Sequence, residues 1–171
     1  MAAAGVATSE AGAPVVPSGR IAAMLAVSAL VSSLHLLALA IGLPAVTVRG
    51  RALRGPLDDG GLRRLFTADN LWAVAAGLWL VTGLLRAFAG LEKGTAFYLA
   101  SPLFWTKMAL FASVVVLEIH PMVTFIRWRA ALRQGRRPDT AAARKLYVLN
   151  HVEMALVVVI VFVASFMARG F

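Results

Sequence analysis

Four long apolar runs constrain this chain more than any other feature of its sequence. They cover residues 21–43, 71–88, 103–125 and 146–167. Each run holds roughly 18 to 23 residues, and a helix of that length rises about 30 Å, which matches the hydrocarbon core of a bilayer. A water-soluble domain of 171 residues could not hide so much apolar surface. The runs therefore predict four transmembrane helices.

The composition supports an all-α integral membrane protein. Hydrophobic residues make up 60% of the chain and charged residues only 15%, and the mean hydropathy is +0.81. Because the linkers between the runs are short, successive helices should be antiparallel neighbours in an up-down four-helix bundle. We expect residues 1–20, rich in Ala, Gly, Pro and Ser, to be a flexible leader. Residues 21–171 should form one transmembrane domain.

The basic residues are distributed as topology signals. The formal net charge is +9, but the cations fall between the apolar runs, and twelve of the 17 Lys and Arg lie in the first and third linkers. This distribution argues against nucleic acid as a partner and makes the lipid bilayer the expected one. By the positive-inside rule both basic linkers are cytoplasmic and both termini lie outside.

Several ionisable side chains stand at membrane depth, where they are costly and usually functional. They are His35, Arg86, Lys107, Glu118, His120, His151 and Glu153, with Asp69 at the mouth of the second run. Measured from the cytoplasmic ends of the runs, the three histidines each lie about 9 to 12 Å deep. The sequence thus predicts one histidine layer, shared with Glu118 and Glu153. The alternative is a purely structural role, in which such residues only hydrogen-bond across helices or reach headgroup water.

Helix periodicity restricts which of these groups can share the bundle interior. At about 100° per residue, Glu118 and His120 point some 160° to 200° apart, so a regular helix cannot turn both toward the centre. The same holds for His151 and Glu153. Pro121 complicates the third run because it tends to kink a helix.

Small residues and helix-breaking residues predict where the helices pack and where they end. On the second run Ala73, Ala76, Gly77 and Gly83 predict a helix-packing seam, or alternatively room for a flat macrocycle. Pro44 should lie just past the first helix, and Asp69 or Asn70 should cap the second. Gly135 and Pro138 should break the third linker, with a helix start at Asp139 or Thr140.

Three stretches resemble a known family. They are "TGLLRAFAGLEKGTAFYLASPLFWTKMALF" (82–111), "RWRAALR" (127–133) and "MARGF" (167–171). They closely resemble a family of small bacterial predicted membrane proteins, domain of unknown function 2214, over about residues 25–171. The resemblance implies a multi-pass protein of the bacterial inner membrane and brings no assigned activity.

A more distant likeness concerns cofactors. A histidine in the first span, His35, and the series Trp105, Lys107 and His120 in a later one look like the arrangement in HemJ-type protoporphyrinogen oxidases and their CopD-like relatives. The HemJ type is associated with haem b, so this likeness implies haem held by histidine.

Three functions follow as hypotheses. The first is a haem-binding or redox protein, with His35 as one axial ligand and His120 or His151 as the second. The second is a non-catalytic accessory subunit that packs against a larger membrane complex. The third is transition-metal handling, with Met122 or Met154 adding sulfur to the histidines and carboxylates. The chain has no cysteine, so thiolate sites are excluded.

Overall fold

The computed structural model describes residues 18–170, and within them the secondary structure is entirely helical. The helices are α1 (Ser18–Arg54), α2 (Asp59–Phe88), α3 (Thr95–Ala100), α4 (Pro102–Arg133) and α5 (Ala143–Ala168). All except the short α3 are long and apolar enough to cross a membrane. The predicted all-α bundle of four transmembrane helices is confirmed.

The first two helices are longer than predicted at the end where they meet. α1 continues through Pro44 to Arg54, so the expectation that it ends at Pro44 is wrong. α2 begins at Asp59, where the Asp58 carboxylate accepts a hydrogen bond from the Gly61 N–H at 2.7 Å. The apolar runs are shorter than the helices, because a helix can leave the bilayer and stay helical. A transmembrane helix also tolerates an internal proline.

The boundaries of α4 and α5 follow local signals. Ser101 and Pro102 begin α4. Gly135, with φ of +70°, ends it, and the Arg136 N–H returns to the Ala131 carbonyl at 3.0 Å. The predicted break at Gly135 is confirmed. Asp139, expected near the start of the last helix, caps a turn at Ala141 shortly before α5 begins.

Packing is uneven around the bundle. α1 packs on α2 and α5, and α4 packs on α5, whereas α2 and α4 do not pack closely along their length. We call the end with the 55–58 and 134–142 connections the basic end, and the end with the 89–101 connection the opposite end. Three apolar layers fill the interior, centred on Phe125 at the basic end, Trp72 in the middle and Phe104 at the opposite end. The separation of α2 from α4 leaves a cleft with α5 behind it.

The first turns of α1 project past the opposite end. The Ser32 hydroxyl reaches Glu92, in the connection that closes this end, at 3.1 Å. Before that contact, residues 19–30 are all exposed except the half-buried Ser28. Residues 1–17 of the expected leader lie outside the described residues, and α1 begins at Ser18.

Candidate functional site

One buried arginine joins all four transmembrane helices near the basic end. Arg49 lies on α1, and its side chain is 0% exposed. Asp69 on α2, Glu118 on α4 and the α5 pair Asn150 and Glu153 converge on it. We call these five residues the Arg49 cluster.

Every N–H of the guanidinium has a partner in the cluster. Nε donates to the Asn150 Oδ1 at 2.7 Å. Nη1 donates to Asp69 Oδ1 at 3.3 Å and to Glu118 Oε1 at 2.7 Å. Nη2 donates to Glu118 Oε2 at 3.0 Å and to Glu153 Oε2. Arginine has five such donors in a fixed fork, so its hydrogen-bonding capacity is fully used.

Neighbouring side chains extend the cluster toward the cleft and the basic end. The Trp72 indole N–H donates to Glu118 Oε2 at 3.0 Å, and its ring lies 5.6 Å from the Arg49 guanidinium. Arg129 donates to Asp69 Oδ2 at 2.8 Å. Among residues 18–170, the Oε1 of Glu153 is the one fully buried side-chain acceptor with no partner. Five of the six carboxylate oxygens in the cluster therefore accept a hydrogen bond from an arginine.

The sequence predicted the acids of this cluster and missed its cation. Glu118, Glu153 and Asp69 were each singled out, and the structure brings them together. Asp69 is not an N-cap, because α2 begins ten residues earlier. Arg49 was assigned to the basic linker, because the first helix was ended at Pro44. Two carboxylates at membrane depth require a cation nearby, and this requirement could have indicated Arg49.

The histidines next to these glutamates lie on the outside of the bundle. His120 and His151 are exposed, whereas Glu118 is half-buried and Glu153 is fully buried. The angular prediction for both pairs is therefore confirmed. The Nδ1 of His151 lies 2.8 Å from the Tyr147 carbonyl of the preceding turn.

His35 does not share a layer with the other two histidines. It contacts Thr82 and Gly83 on the second half of α2, fourteen residues along α1 from Arg49. At 1.5 Å per residue this is about 21 Å toward the opposite end. His120 and His151 are each two residues from a member of the Arg49 cluster. The predicted single histidine layer is wrong, because depth was counted from the ends of the apolar runs rather than from the ends of the helices.

The His35 ring is held in one tautomer. Its Nδ1 lies 2.8 Å from the Thr82 hydroxyl oxygen, and that hydroxyl donates to the Leu78 carbonyl at 2.6 Å. A hydroxyl has one proton. Since this proton goes to Leu78, we assign the ring proton of His35 to Nδ1, which then donates to Thr82. The Nε2 atom keeps its lone pair.

Two cations stand at the level of His35. Arg86 on α2 donates through Nε to Glu92 at 2.7 Å. Lys107 on α4 lines the same cleft, and within residues 18–170 its ammonium makes neither a hydrogen bond nor an ion pair. The opposite end therefore contains an uncommitted imidazole nitrogen and an unpaired cation.

Glu92 organises the connection above the cleft. It accepts hydrogen bonds from Arg86, from the Tyr98 hydroxyl at 2.7 Å and from Ser32. Partial burial alone would raise the pKa of Glu92, but these donors hold it below its usual value. Burial and the bond to Glu92 raise the pKa of Tyr98 to about 12. The carboxylate and the neutral phenol therefore stabilise each other.

The cleft itself is apolar and aromatic. Trp79, Phe104, Phe111 and Met108 line a cavity of about 80 Å³. An adjoining cavity, which shares His35 and Lys107 with it, holds about 540 Å³, and that volume lies in the range of small-molecule sites. Gly83 forms part of the cleft wall and lies against the His35 ring, since a Cβ there would lie 3.4 Å from the ring.

The predicted small-residue seam on α2 is only partly right. Ala73 and Gly77 are exposed, and a Cβ on Gly77 would meet nothing within 4 Å. The close approach of α1 to α2 instead uses Ala75 and Gly42, where a Cβ on the glycine would lie 3.3 Å from the alanine.

The sequence profile of one family matches residues 27–171, and that family is described as "Predicted membrane protein (DUF2214)". The match covers most of the chain and all but the first turns of the bundle. The chain belongs to this family. No curated protein and no solved structure matches the chain. The family description gives membrane location and no activity.

The family's matched region contains both polar sites. Within residues 18–170, no group of three or more His, Asp or Glu side chains is arranged to hold a metal ion. The Arg49 cluster directs its carboxylates at a guanidinium, which leaves them little freedom to bind a ligand. The His35 cleft has free donor groups and space, so it is the better binding site.

Proposed function

We propose that the cleft between α2 and α4 binds haem b at the opposite end, with His35 as an iron ligand. The observation that carries this proposal is the His35 ring, which donates from Nδ1 and leaves the Nε2 lone pair free. Ligating histidines are oriented in this way, by a hydrogen bond from their other nitrogen. When bound, haem would supply a redox-active iron.

The surroundings of His35 suit an anionic macrocycle. Trp79, Phe104 and Phe111 offer flat apolar surface. Lys107 has no hydrogen-bond or ion-pair partner within residues 18–170, and the one acidic partner of Arg86 in that range is Glu92. Both cations can therefore bind propionates. Without an anion, Lys107 would remain unpaired in an apolar cleft, which is unfavourable.

His120 and His151 cannot ligate the same iron as His35. They lie at the level of the Arg49 cluster, about 21 Å away along the bundle, whereas iron ligands lie within a few ångströms of each other. A cofactor or metal held by either residue stays a separate prediction. Met154 directly follows Glu153 of the Arg49 cluster and lies at the same level. Its sulfur lies 3.6 Å from the Thr47 hydroxyl.

Absorption spectroscopy of the detergent-purified protein tests the proposal. We expect a Soret band with about one haem per chain after expression with sufficient haem precursor. His35→Ala should lose the band, and Lys107→Gln should retain less haem per chain. His120→Ala is the matched control, since it removes an exposed histidine from the other end, and it should keep the band. A haem-loaded His35→Ala, or a wild type that stays colourless when supplied with haem, would overturn the proposal.

A colourless protein would favour the accessory-subunit hypothesis, which one observation supports. Residues 21–27 of α1 are apolar and exposed beyond the bundle, as is Leu30, with Leu25 67% and Leu30 60% exposed. Such a helix end is suited to packing on another membrane subunit. A photo-crosslinker at Leu25 should then give one discrete adduct in native membranes, and one at Val74, exposed on α2, should give none.

We also propose that the basic end is cytoplasmic in a bacterial inner membrane, with both termini outside. The excess of arginine and lysine at that end supports this orientation. A cysteine near Gly94 should label with an impermeant thiol reagent in intact cells, and one near Gly60 should be protected. The reverse pattern would invert the orientation.

A further inference from the structure

A notch at the basic end lies outside both polar sites. It is formed by the last turns of α4 and the 134–142 connection. Thr124, Arg127 and Trp128 line it from α4, and Arg136 and Pro138 line it from the connection. The notch therefore contains two guanidinium groups on facing segments.

Neither guanidinium is neutralised by an acid. Arg127 makes no hydrogen bond or ion pair within the described part of the chain. Among the described residues, the Arg136 guanidinium donates only to the neutral side chain of Gln134. Asp139 also lines the notch, and its Oδ1 accepts from the Ala141 N–H at 2.9 Å. Two guanidinium groups and one carboxylate leave the notch with a net positive charge. The notch thus favours an anion.

The depth of the notch matches the lipid headgroups. From Arg86 to Asp69, α2 spans seventeen residues, or about 26 Å, so a hydrocarbon core of about 30 Å ends close beyond the Arg49 cluster. Arg127 lies nine residues past Glu118 on α4, about 13 Å farther from the membrane centre. Headgroup phosphates lie at this depth. Below it, the exposed surface of α4 is apolar at Ile119 and Val123, as acyl chains require.

We propose that the notch binds the phosphodiester of an anionic phospholipid, held by Arg127 and Arg136. The bilayer is the source of the ligand, because the apolar surface beneath the notch continues the site toward the acyl chains. Basic pockets at the membrane interface recognise anionic headgroups in this way. This inference is independent of the haem proposal.

Native mass spectrometry of the delipidated full chain tests it, with phosphatidylglycerol and phosphatidylcholine as probes. The wild type should retain phosphatidylglycerol in preference. In the variant Arg127→Gln/Arg136→Gln its affinity should fall about 25-fold, since each interfacial cation contributes about fivefold. Arg63→Gln/Arg64→Gln removes the same charge from exposed positions at the same end and should bind like the wild type. If the double variant melts at a lower temperature, Arg127→Gln alone should still weaken binding about fivefold.

Three results would overturn the inference. The first is equal retention of the two lipids by the wild type. The second is wild-type binding by the notch variant, or an equal loss in the control. The third is competition by soluble glycerol phosphate at the lipid's own concentration, which would show a free-phosphate site instead.

Discussion

The two polar sites of the bundle use similar residues and have opposite hydrogen-bonding states. At the basic end, Arg49 has a partner for each N–H and is fully buried. At the opposite end, Lys107 has no hydrogen-bond or ion-pair partner among the described residues, and His35 has a free ring nitrogen there. We call the first site saturated because every N–H of its guanidinium is bonded, although the Oε1 of Glu153 has no partner. Such a network fixes the helices that contribute to it, whereas the unpaired groups of the second site gain free energy by binding a ligand. The comparison therefore favours a structural role for the first site and supports the proposal that the second site binds a ligand.

The largest effect should come from removing the cation of the saturated site. Arg49→Leu leaves Asp69, Glu118 and Glu153 close together in the bundle without their shared partner. Breaking a buried ionic network in this way costs about 3 to 5 kcal/mol, which would abolish or severely destabilise the folded bundle. Thermal unfolding in detergent, with gel filtration to detect aggregation, measures the loss.

Arg51→Leu is the control for Arg49→Leu. It removes the same charge two residues along α1, where the side chain is exposed, and should change the melting temperature little. Equal stability of the two variants would mean that the Arg49 cluster does not hold the helices together. The division between a structural and a binding site would then fail.

The sequence predicted the fold well because hydropathy is a strong signal in lipid, where only closed hydrogen-bonded structures cross the bilayer. It predicted that Glu118 and His120 face apart for a similarly local reason, the helical repeat. It missed Arg49 because charge and Pro44 both signal a helix end. The pattern that could have found it is the buried stripe Ala38, Gly42, Ala45, Arg49, Leu53, whose spacing of three and four continues through the proline.

The His35 cleft was harder to predict. Its contacts join residues 47 to 60 positions apart, as in His35 with Thr82 and Ser32 with Glu92. Such pairs depend on the vertical alignment of α1 against α2, and hydropathy does not determine that alignment. The first helix ends at Arg54 and not near residue 43, and this error of eleven residues displaced His35 by about three turns. Long-range register is therefore the information that a single sequence lacked.

An intermediate effect should come from crowding the saturated site without removing a charge. A Cβ on Gly50 would lie 2.7 Å from the Asn150 Nδ2 and 3.3 Å from the His151 ring. Asn150 cannot move freely, because it accepts from Arg49 and donates to the Val46 carbonyl at 3.0 Å. Gly50→Ala should therefore destabilise the bundle by about 1 to 3 kcal/mol.

Gly77→Ala provides the matched comparison, since it makes the same change on α2 with nothing within 4 Å. It should be neutral or stabilising by up to about 1 kcal/mol, which is the helix propensity gained. Denaturant or thermal unfolding of both variants measures the difference. If Gly50→Ala were as stable as Gly77→Ala, Asn150 would be free to shift, and the site would be less rigid than its hydrogen bonds indicate.

The smallest effect concerns the connection that covers the open site. The pKa of Tyr98 is raised from 10.0 to about 12 by burial and by its hydrogen bond to Glu92. A raised pKa means that the folded state favours the neutral phenol. The resulting stabilisation is complete below pH 10 and is lost as the pH rises through about 12. The pH dependence is reversed for Glu92. Its pKa is lowered, so the stability that it contributes is lost as the pH falls below the usual pKa of a glutamate.

Tyrosinate absorbance tests this prediction in a Tyr147→Phe background, where Tyr98 is the remaining tyrosine of the two in the chain. Tyr98 should titrate well above free tyrosine, and Glu92→Gln should lower its pKa, because the negative charge that opposes ionisation is gone while burial remains. Ordinary titration of Tyr98 in the folded protein would mean that the 89–101 connection does not close over the cleft. His35 and Lys107 would then be open to water from that side, and the unpaired ammonium would need no bound anion to explain it. A high pKa would instead indicate that the connection partly excludes water from this end of the cleft, which would support the proposal that Lys107 binds a negatively charged ligand.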